Sequence, residues 1–356
     1  MFVGAAEDAS QSLDSVQAKA KMDLARLAGL DAVRVSAIWT PGKTALEGDA
    51  LAGLQNAVSA ANLDGIRVIV SVYQSGGRTT PRTPRAQAQF ARFAASIARA
   101  NPSVHDFIIG NEPNINRFWL PQFGPGGSDA AAAGYEALLA RTYDALKAVS
   151  RSISVAGGAL SPRGSDNPRL SRPTHSPTAF IRDLGAAYRS SHRTRPLMDA
   201  FAFHPYLESS RVAPTVAHPR STTISLADYG KLVRLLATAF DGTAQPGARL
   251  PILYDEFGVQ SRIPAAKKRA YSNFQVASAR DAVAEAIQAA YYRRAFALAA
   301  CQRTVKGFLI FHVSDESDLD RWQSGLYYAD DTPKTSFAPV KRAIEQLHAG
   351  RLVHCR

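Results

Sequence analysis

The sequence predicts a single (β/α)₈ barrel, and three observations lead there. Eight short apolar runs of strand length alternate with eight Ala-rich segments of helical length. No break in composition divides the 356 residues into separate blocks. The stretches richest in Pro, Gly and Ser (75–84, 121–129, 161–177, 208–225 and 258–271) all follow strands, which in a barrel is the face that carries the active site.

The first strand is expected at 2–6 and its helix at 12–29, where Leu24, Leu27 and Leu30 fall close to one helical face. A β-branched run at 32–40 and an Ala-rich segment at 49–61 make the second pair. The third is 66–73 with 85–100, and the fourth is 106–110 with 131–150. The fifth is 154–160 with 178–191, whose Phe180, Ile181 and Leu184 share a face. Runs at 200–204, 252–257 and 307–313 supply the last three strands, and 226–240, 279–301 and 338–349 their helices. Most of the strand runs lack strict alternation, which suits strands covered on both faces. A doubly wound open sheet is the rival architecture, but no Gly-rich phosphate turn follows the first strand.

Hydrophobic residues make up 46% and charged residues 20%, ordinary for a globular chain with ample material for a core. Length alone would allow two domains, but barrels of this kind often exceed 250 residues as one, so residues 1–356 are expected to form one domain. No apolar run of 18 or more residues appears, so no membrane span is expected. The start, from Met1 to Ala5, runs almost straight into a strand without a basic, then apolar, then small-residue leader. Lys plus Arg number 42 against 30 Asp plus Glu, a formal net charge of +12. The basic residues are dispersed, as in Arg141, Lys147 and Arg151, with no dense block interleaved with aromatics. That distribution reads as a solvated surface rather than a nucleic-acid site. Cys301 and Cys355 match no zinc or redox spacing; a disulfide between them and two free thiols both remain open.

Two glutamates stand out. Asp106-Phe107-Ile108-Ile109-Gly110-Asn111-Glu112-Pro113 and Leu250-Pro251-Ile252-Leu253-Tyr254-Asp255-Glu256-Phe257-Gly258 each run from an apolar strand into an acid beside a turn former. A carboxylate at the end of a buried strand has no packing use, because burying an unpaired charge is costly. The strand count puts Glu112 at the end of the fourth strand and Glu256 at the end of the seventh, where residues of a barrel read as catalytic. Two carboxyls converging on one pocket are what glycosidic bond cleavage requires, one protonating the leaving oxygen and the other attacking the anomeric carbon. A retaining enzyme holds them roughly 5–5.5 Å apart. No His or Cys cluster has metal-ligand spacing and no Gly-X-Ser-X-Gly elbow occurs, so neither metal nor cofactor is expected.

Asn111-Glu112-Pro113, together with Tyr254-Asp255-Glu256-Phe257-Gly258, resembles the retaining (β/α)₈ glycoside hydrolases of clan A, the cellulase, mannanase and xylosidase-like superfamily. The resemblance covers essentially the whole chain, because the strand count agrees. It implies Glu112 as acid/base, Glu256 as nucleophile and Asn111 as partner of the sugar 2-hydroxyl. Tyr206, in Phe203-His204-Pro205-Tyr206, resembles the hydroxyl that orients the nucleophile, with His204 on the same wall. Arg34, in Val33-Arg34-Val35, resembles the buried arginine that keeps the nucleophile ionised. Many members close strand eight with a Trp platform. This chain has Phe311 and His312 there, with Trp322 downstream as a substitute from the loop. Trp39, Tyr73, Phe118 and Trp119 are further aromatics near strand ends that suit sugar stacking. Asp315, Glu316, Asp318 and Asp320 form an acidic loop that reads as solvated. The expectation is a retaining hydrolase of a β-linked glycoside or polysaccharide, monomeric and exported. A non-catalytic glycan-binding barrel and a transglycosylase using the same two glutamates are the alternatives.

Overall fold

In the computed structural model, which describes residues 1–276, 279–352 and 355, the eight strands close on themselves. They are β1 (Phe2–Ala6), β2 (Ala32–Trp39), β3 (Arg67–Gln74), β4 (Asp106–Ile109), β5 (Ser154–Leu160), β6 (Ala200–Phe203), β7 (Ile252–Phe257) and β8 (Val305–Phe311). Each pairs in parallel with its neighbours in chain order, and β1 against β8 seals the barrel through Phe2↔Gly307 to Ala6↔Phe311. The helices are α1 (Ser15–Leu27), α2 (Gly48–Asp64), α3 (Pro84–Ala100), α4 (Ala130–Val149), α5 (Pro177–Ser190), α6 (Tyr229–Phe240), α7 (Glu285–Ala300) and α8 (Phe337–His348).

The sequence explains where several helices begin. Asp14, Thr83, Asp129 and Ser176 each cap an exposed backbone N–H at the start of α1, α3, α4 and α5, and Pro84 and Pro177 occupy the first helical position. The seventh helix starts at Glu285 and not near 279 as its composition suggested. Val283 is drawn into a bridge with Ser261, and that pairing holds the preceding residues out of the helix.

Two apolar layers hold the barrel. The larger lies between strands and helices and includes Phe90, Phe107, Tyr135, Phe180, Phe201, Tyr292 and Phe308. A smaller cluster of Ala32, Ile69, Ile108, Ala156, Ala202, Leu253 and Leu309, with Phe2 packed on it, draws on every strand and is the plug inside the barrel. Small side chains there leave little room: a Cβ on Gly4 would stand 2.5 Å from the carbonyl oxygen of Ala32. Cys301, at the end of α7, is bonded to Cys355, tying the chain's tail to that helix.

Candidate active site

The site is built from the C-terminal ends of β2, β4, β6, β7 and β8 around a cleft of about 740 Å³. The Asp106–Ile109 strand ends in two residues of positive φ that are not ordinary strand geometry, Gly110 at +89° and Glu112 at +42°. At Gly110 a Cβ would come within 2.8 Å of the Tyr135 ring, so only glycine lets the chain turn there. The Tyr135 hydroxyl donates to the Ile109 carbonyl (2.5 Å) and accepts from Gly158 N–H (2.7 Å), bracing the ends of β4 and β5. Glu112 N–H donates to the Ala159 carbonyl at 2.8 Å, which aims the carboxyl into the cleft.

Glu256 is held from two sides. Arg34, buried inside the barrel, donates to Glu256 Oε1 at 2.8 Å, and the Tyr206 hydroxyl donates to Oε2 at 3.2 Å. The same guanidinium donates to the Asp255 carbonyl at 2.9 Å and lies 3.4 Å from its Oδ2. Successive residues of a regular strand face opposite ways, yet Asp255 and Glu256 both meet Arg34. The cause is an irregularity in the pairing of β7 with β8 between Tyr254 and Phe257, which turns both acids toward the barrel axis.

His204 links the two glutamates. Its Nδ1 lies 3.1 Å from Glu112 Oε1 and 3.6 Å from Glu256 Oε2, and its Nε2 lies 3.3 Å from Asp255 Oδ2. With those legs of 3.1 and 3.6 Å, the two glutamate oxygens are at most about 6.7 Å apart. Burial works against a charge on His204, but Glu256, Asp255 and hydrogen bonds to Asp255 and Glu112 outweigh it and lift its pKa to about 10. At neutral pH the ring is therefore an imidazolium that donates from both nitrogens. Asp255 is also desolvated, but His204 and Arg34 hold its carboxyl below the usual range. Burial pushes the Tyr206 phenol well up, and the nearby Glu256 and Glu112 carboxylates add to this, so it remains a donor.

Arg34, Tyr73, Asn111, Glu112, Tyr206, Glu256, Phe311, His312 and Trp322 all line the cleft, while His204 lies directly behind it with no exposed surface. Asn111 Oδ1 has no hydrogen-bond partner among the described residues, which leaves it available to a ligand hydroxyl. Tyr73 donates to Ser36 Oγ at 3.1 Å. Trp322 reaches back from the loop after β8, its ring 5.4 Å from both Phe311 and Tyr206, and these three rings form the aromatic wall that strand eight itself lacks.

Two expected stacking residues are elsewhere. Trp39 is fully buried, its edge against Phe90 and its indole N–H donating to the Lys43 carbonyl. Trp119 is 2% exposed and packs edge-on to Tyr135 and over Gly134. Both belong to the helix-facing core and do not line the cleft. The acidic loop also differs from its reading as solvated. Asp315 is buried and accepts from Lys334 Nζ and the Tyr271 hydroxyl, each at 2.7 Å. Glu316 accepts from Trp322 N–H at 2.8 Å, so part of this loop's charge serves to fold it around Trp322.

Asp255 is the functional residue that the sequence reading left without a role; nothing in an Asp-Glu pair signals that the strand breaks its alternation there. Among the described residues, no cluster of His, Cys, Asp and Glu is arranged to hold a metal ion, and no helix is long and apolar enough to cross a membrane.

No sequence-family profile and no curated protein matches the chain. Solved structures do. A GH5_18 protein from Streptomyces cattleya in complex with Manβ1-4GlcNAc superposes with a TM-score of 0.61 at 17% identity, over 97% of this chain and 80% of that one. A monomeric β-xylosidase from Caulobacter crescentus gives 0.56 at 16%, over 96% and 66%. An exo-β-1,4-mannosidase from an Opitutaceae bacterium gives 0.58 at 16%, over 99% and 60%. At these identities the likeness establishes the fold: the chain is a (β/α)₈ barrel of the kind on which those glycosidases are built.

Proposed function

We propose that the chain is a glycoside hydrolase that cleaves a β-linked glycoside with retention, through a covalent glycosyl-enzyme intermediate. The observation that carries this reading is the approach of Glu112 Oε1 and Glu256 Oε2 to one ring nitrogen of His204, which limits the separation of those two oxygens to about 6.7 Å. Inverting sites leave room for a water, with carboxyls roughly 6.5–9.5 Å apart, whereas retaining sites hold them about 5–5.5 Å apart. That oxygen pair reaches about 6.7 Å only with the nitrogen on the line between them, a spacing at the low edge of the inverting range, which supports retention. The glycosidase activities of the structural neighbours support the same reaction class.

In this mechanism Glu256, held by Arg34 and Tyr206, attacks the anomeric carbon through a carboxylate oxygen as the bond to the leaving oxygen breaks. Glu112 gives that oxygen its proton. Glu112, now a carboxylate, takes a proton from water, whose oxygen attacks the same carbon and releases Glu256. Asn111 supplies the partner of the sugar 2-hydroxyl, a contact that strengthens as the ring flattens. His204, anchored to Asp255, fixes the distance between the two carboxyls. A sugar hydroxyl in place of water would give transglycosylation by the same steps.

Turnover of a panel of aryl β-glycosides tests the proposal. Glu256→Ala should fall to background. Glu112→Ala should lose about 10²–10⁴-fold and recover in part with added azide, which needs no general base. If neither change lowers activity, the assignment is wrong. The Cys301–Cys355 bond further leads us to propose an oxidising, exported setting for the enzyme.

A further inference from the structure

The wall of the cleft formed by the loops after β6 and β7 has two faces. Ser210, Gln260 and Asp281 line the cleft, while Arg211, Arg262 and Arg280, one or two positions away in the chain, line a second groove of about 430 Å³. Backbone bonds lock the wall: Arg262 N–H donates to the Val283 carbonyl at 2.8 Å and Val283 N–H to the Gln260 carbonyl at 2.9 Å. Asp281 Oδ2 accepts from Ser210 N–H at 3.0 Å, and Gln260 N–H donates to Ser210 Oγ at 3.0 Å. The acid in this wall is thus turned toward the cleft and spent on the backbone, and the arginines alone face the groove.

Among the described residues these three arginines have no acidic partner, unlike Arg182, Arg193 and Arg195, each of which is paired with an aspartate. Arg211 donates to the Arg280 carbonyl at 2.6 Å, so two of the three are tied together rather than spread apart. Ala279, Ala282 and Val283 also line the groove, together with Ile287 and Tyr291 of α7, and the Arg294 guanidinium lies 5.9 Å from the Tyr291 ring centre. Three arginines lining one groove with no counter-charge among the described residues suit a ligand that carries its own anions, and planar guanidinium groups match carboxylate or sulfate oxygens in pairs. An aromatic and an aliphatic side chain beside them offer a surface for the apolar face of a sugar ring.

We infer that this groove is a distal subsite for an anionic glycan, its carboxylate or sulfate groups on Arg211, Arg262 and Arg280, while a neighbouring part of the chain occupies the cleft. The identification of the anion's carrier as a glycan rests on the glycosidase reading above; the anion site itself rests on the arginines.

Titration calorimetry on the whole protein tests it, with hexameric oligogalacturonate, a chondroitin sulfate hexasaccharide, neutral cellohexaose and a short single-stranded oligonucleotide as probes. At least one acidic glycan should bind about 10-fold or more tightly than cellohexaose at low salt, and the advantage should shrink as salt rises. The better of the two identifies the acidic group. Arg211→Gln/Arg262→Gln/Arg280→Gln should abolish that advantage and leave any turnover of small aryl glycosides unchanged. Arg262→Gln alone, whose side chain makes no hydrogen bond or ion pair among the described residues, should lose part of it and keep the wild-type melting temperature. Equal binding of acidic and neutral glycans, retention of the preference in the triple variant, or an oligonucleotide bound as tightly as either glycan would each overturn the inference. An enzyme that turned over no glycoside but kept an arginine-dependent preference would refute the glycosidase reading and leave the subsite standing.

Discussion

His204 is the residue on which the site's geometry depends. It joins both glutamates through one nitrogen and Asp255 through the other, and it is charged because Glu256, Asp255 and its hydrogen bonds to Asp255 and Glu112 outweigh its burial. A histidine whose folded pKa is raised contributes stability that is fully present below its unfolded value near 6.5 and is lost as the pH rises toward about 10. The melting-temperature gap between wild type and His204→Gln should therefore be largest near pH 6 and close toward pH 10. A gap that widens with pH would contradict this charge assignment. His204 and Glu112 could be read from the sequence as strand-end residues beside turn formers. Asp255 could not, because its inward orientation comes from a break in strand pairing that no residue type announces.

At the scale of elements, the alternation of strand and helix was legible because each element follows local rules of period and capping. The aromatics near strand ends were not, because the same side chain at the same distance from a strand suits a core or a cleft equally. Trp39 and Trp322 separate the two cases. Trp39→Ala should cost about 3–5 kcal/mol of stability by opening a cavity against Phe90. Trp322→Ala should keep the fold and raise KM for a glycoside roughly 3–10-fold, through loss of stacking and of its contacts with Phe311 and Tyr206. Thermal melts and initial rates on both variants check this; a Trp39 variant that melts normally but binds substrate poorly would reverse the assignment. The loop that presents Trp322 owes its shape to the buried Asp315–Lys334 pair. In the sequence that acid reads as solvated because its cation, 19 positions away, marks no motif.

Over the whole molecule, the barrel brings strand ends that are distant in sequence into one cleft, and the tail is tied back to α7 by the Cys301–Cys355 bond across 54 positions. Closing a loop of that length restricts the unfolded chain by up to about 4 kcal/mol on entropic grounds. Dithiothreitol should lower the melting temperature without changing the rate at which glycoside is cleaved at 25 °C; an unchanged melting temperature would show that the bond contributes nothing. The central claim is that Glu256 becomes covalently attached to the sugar. A 2-fluoro β-glycoside with a good leaving group slows both steps by withdrawing charge from the anomeric carbon, and the leaving group rescues only the first. Peptide mass mapping after incubation should find the fluorosugar on the peptide containing Glu256. A modified Glu112, or a protein left unmodified by a fluoroglycoside whose parent sugar it hydrolyses, would contradict the account.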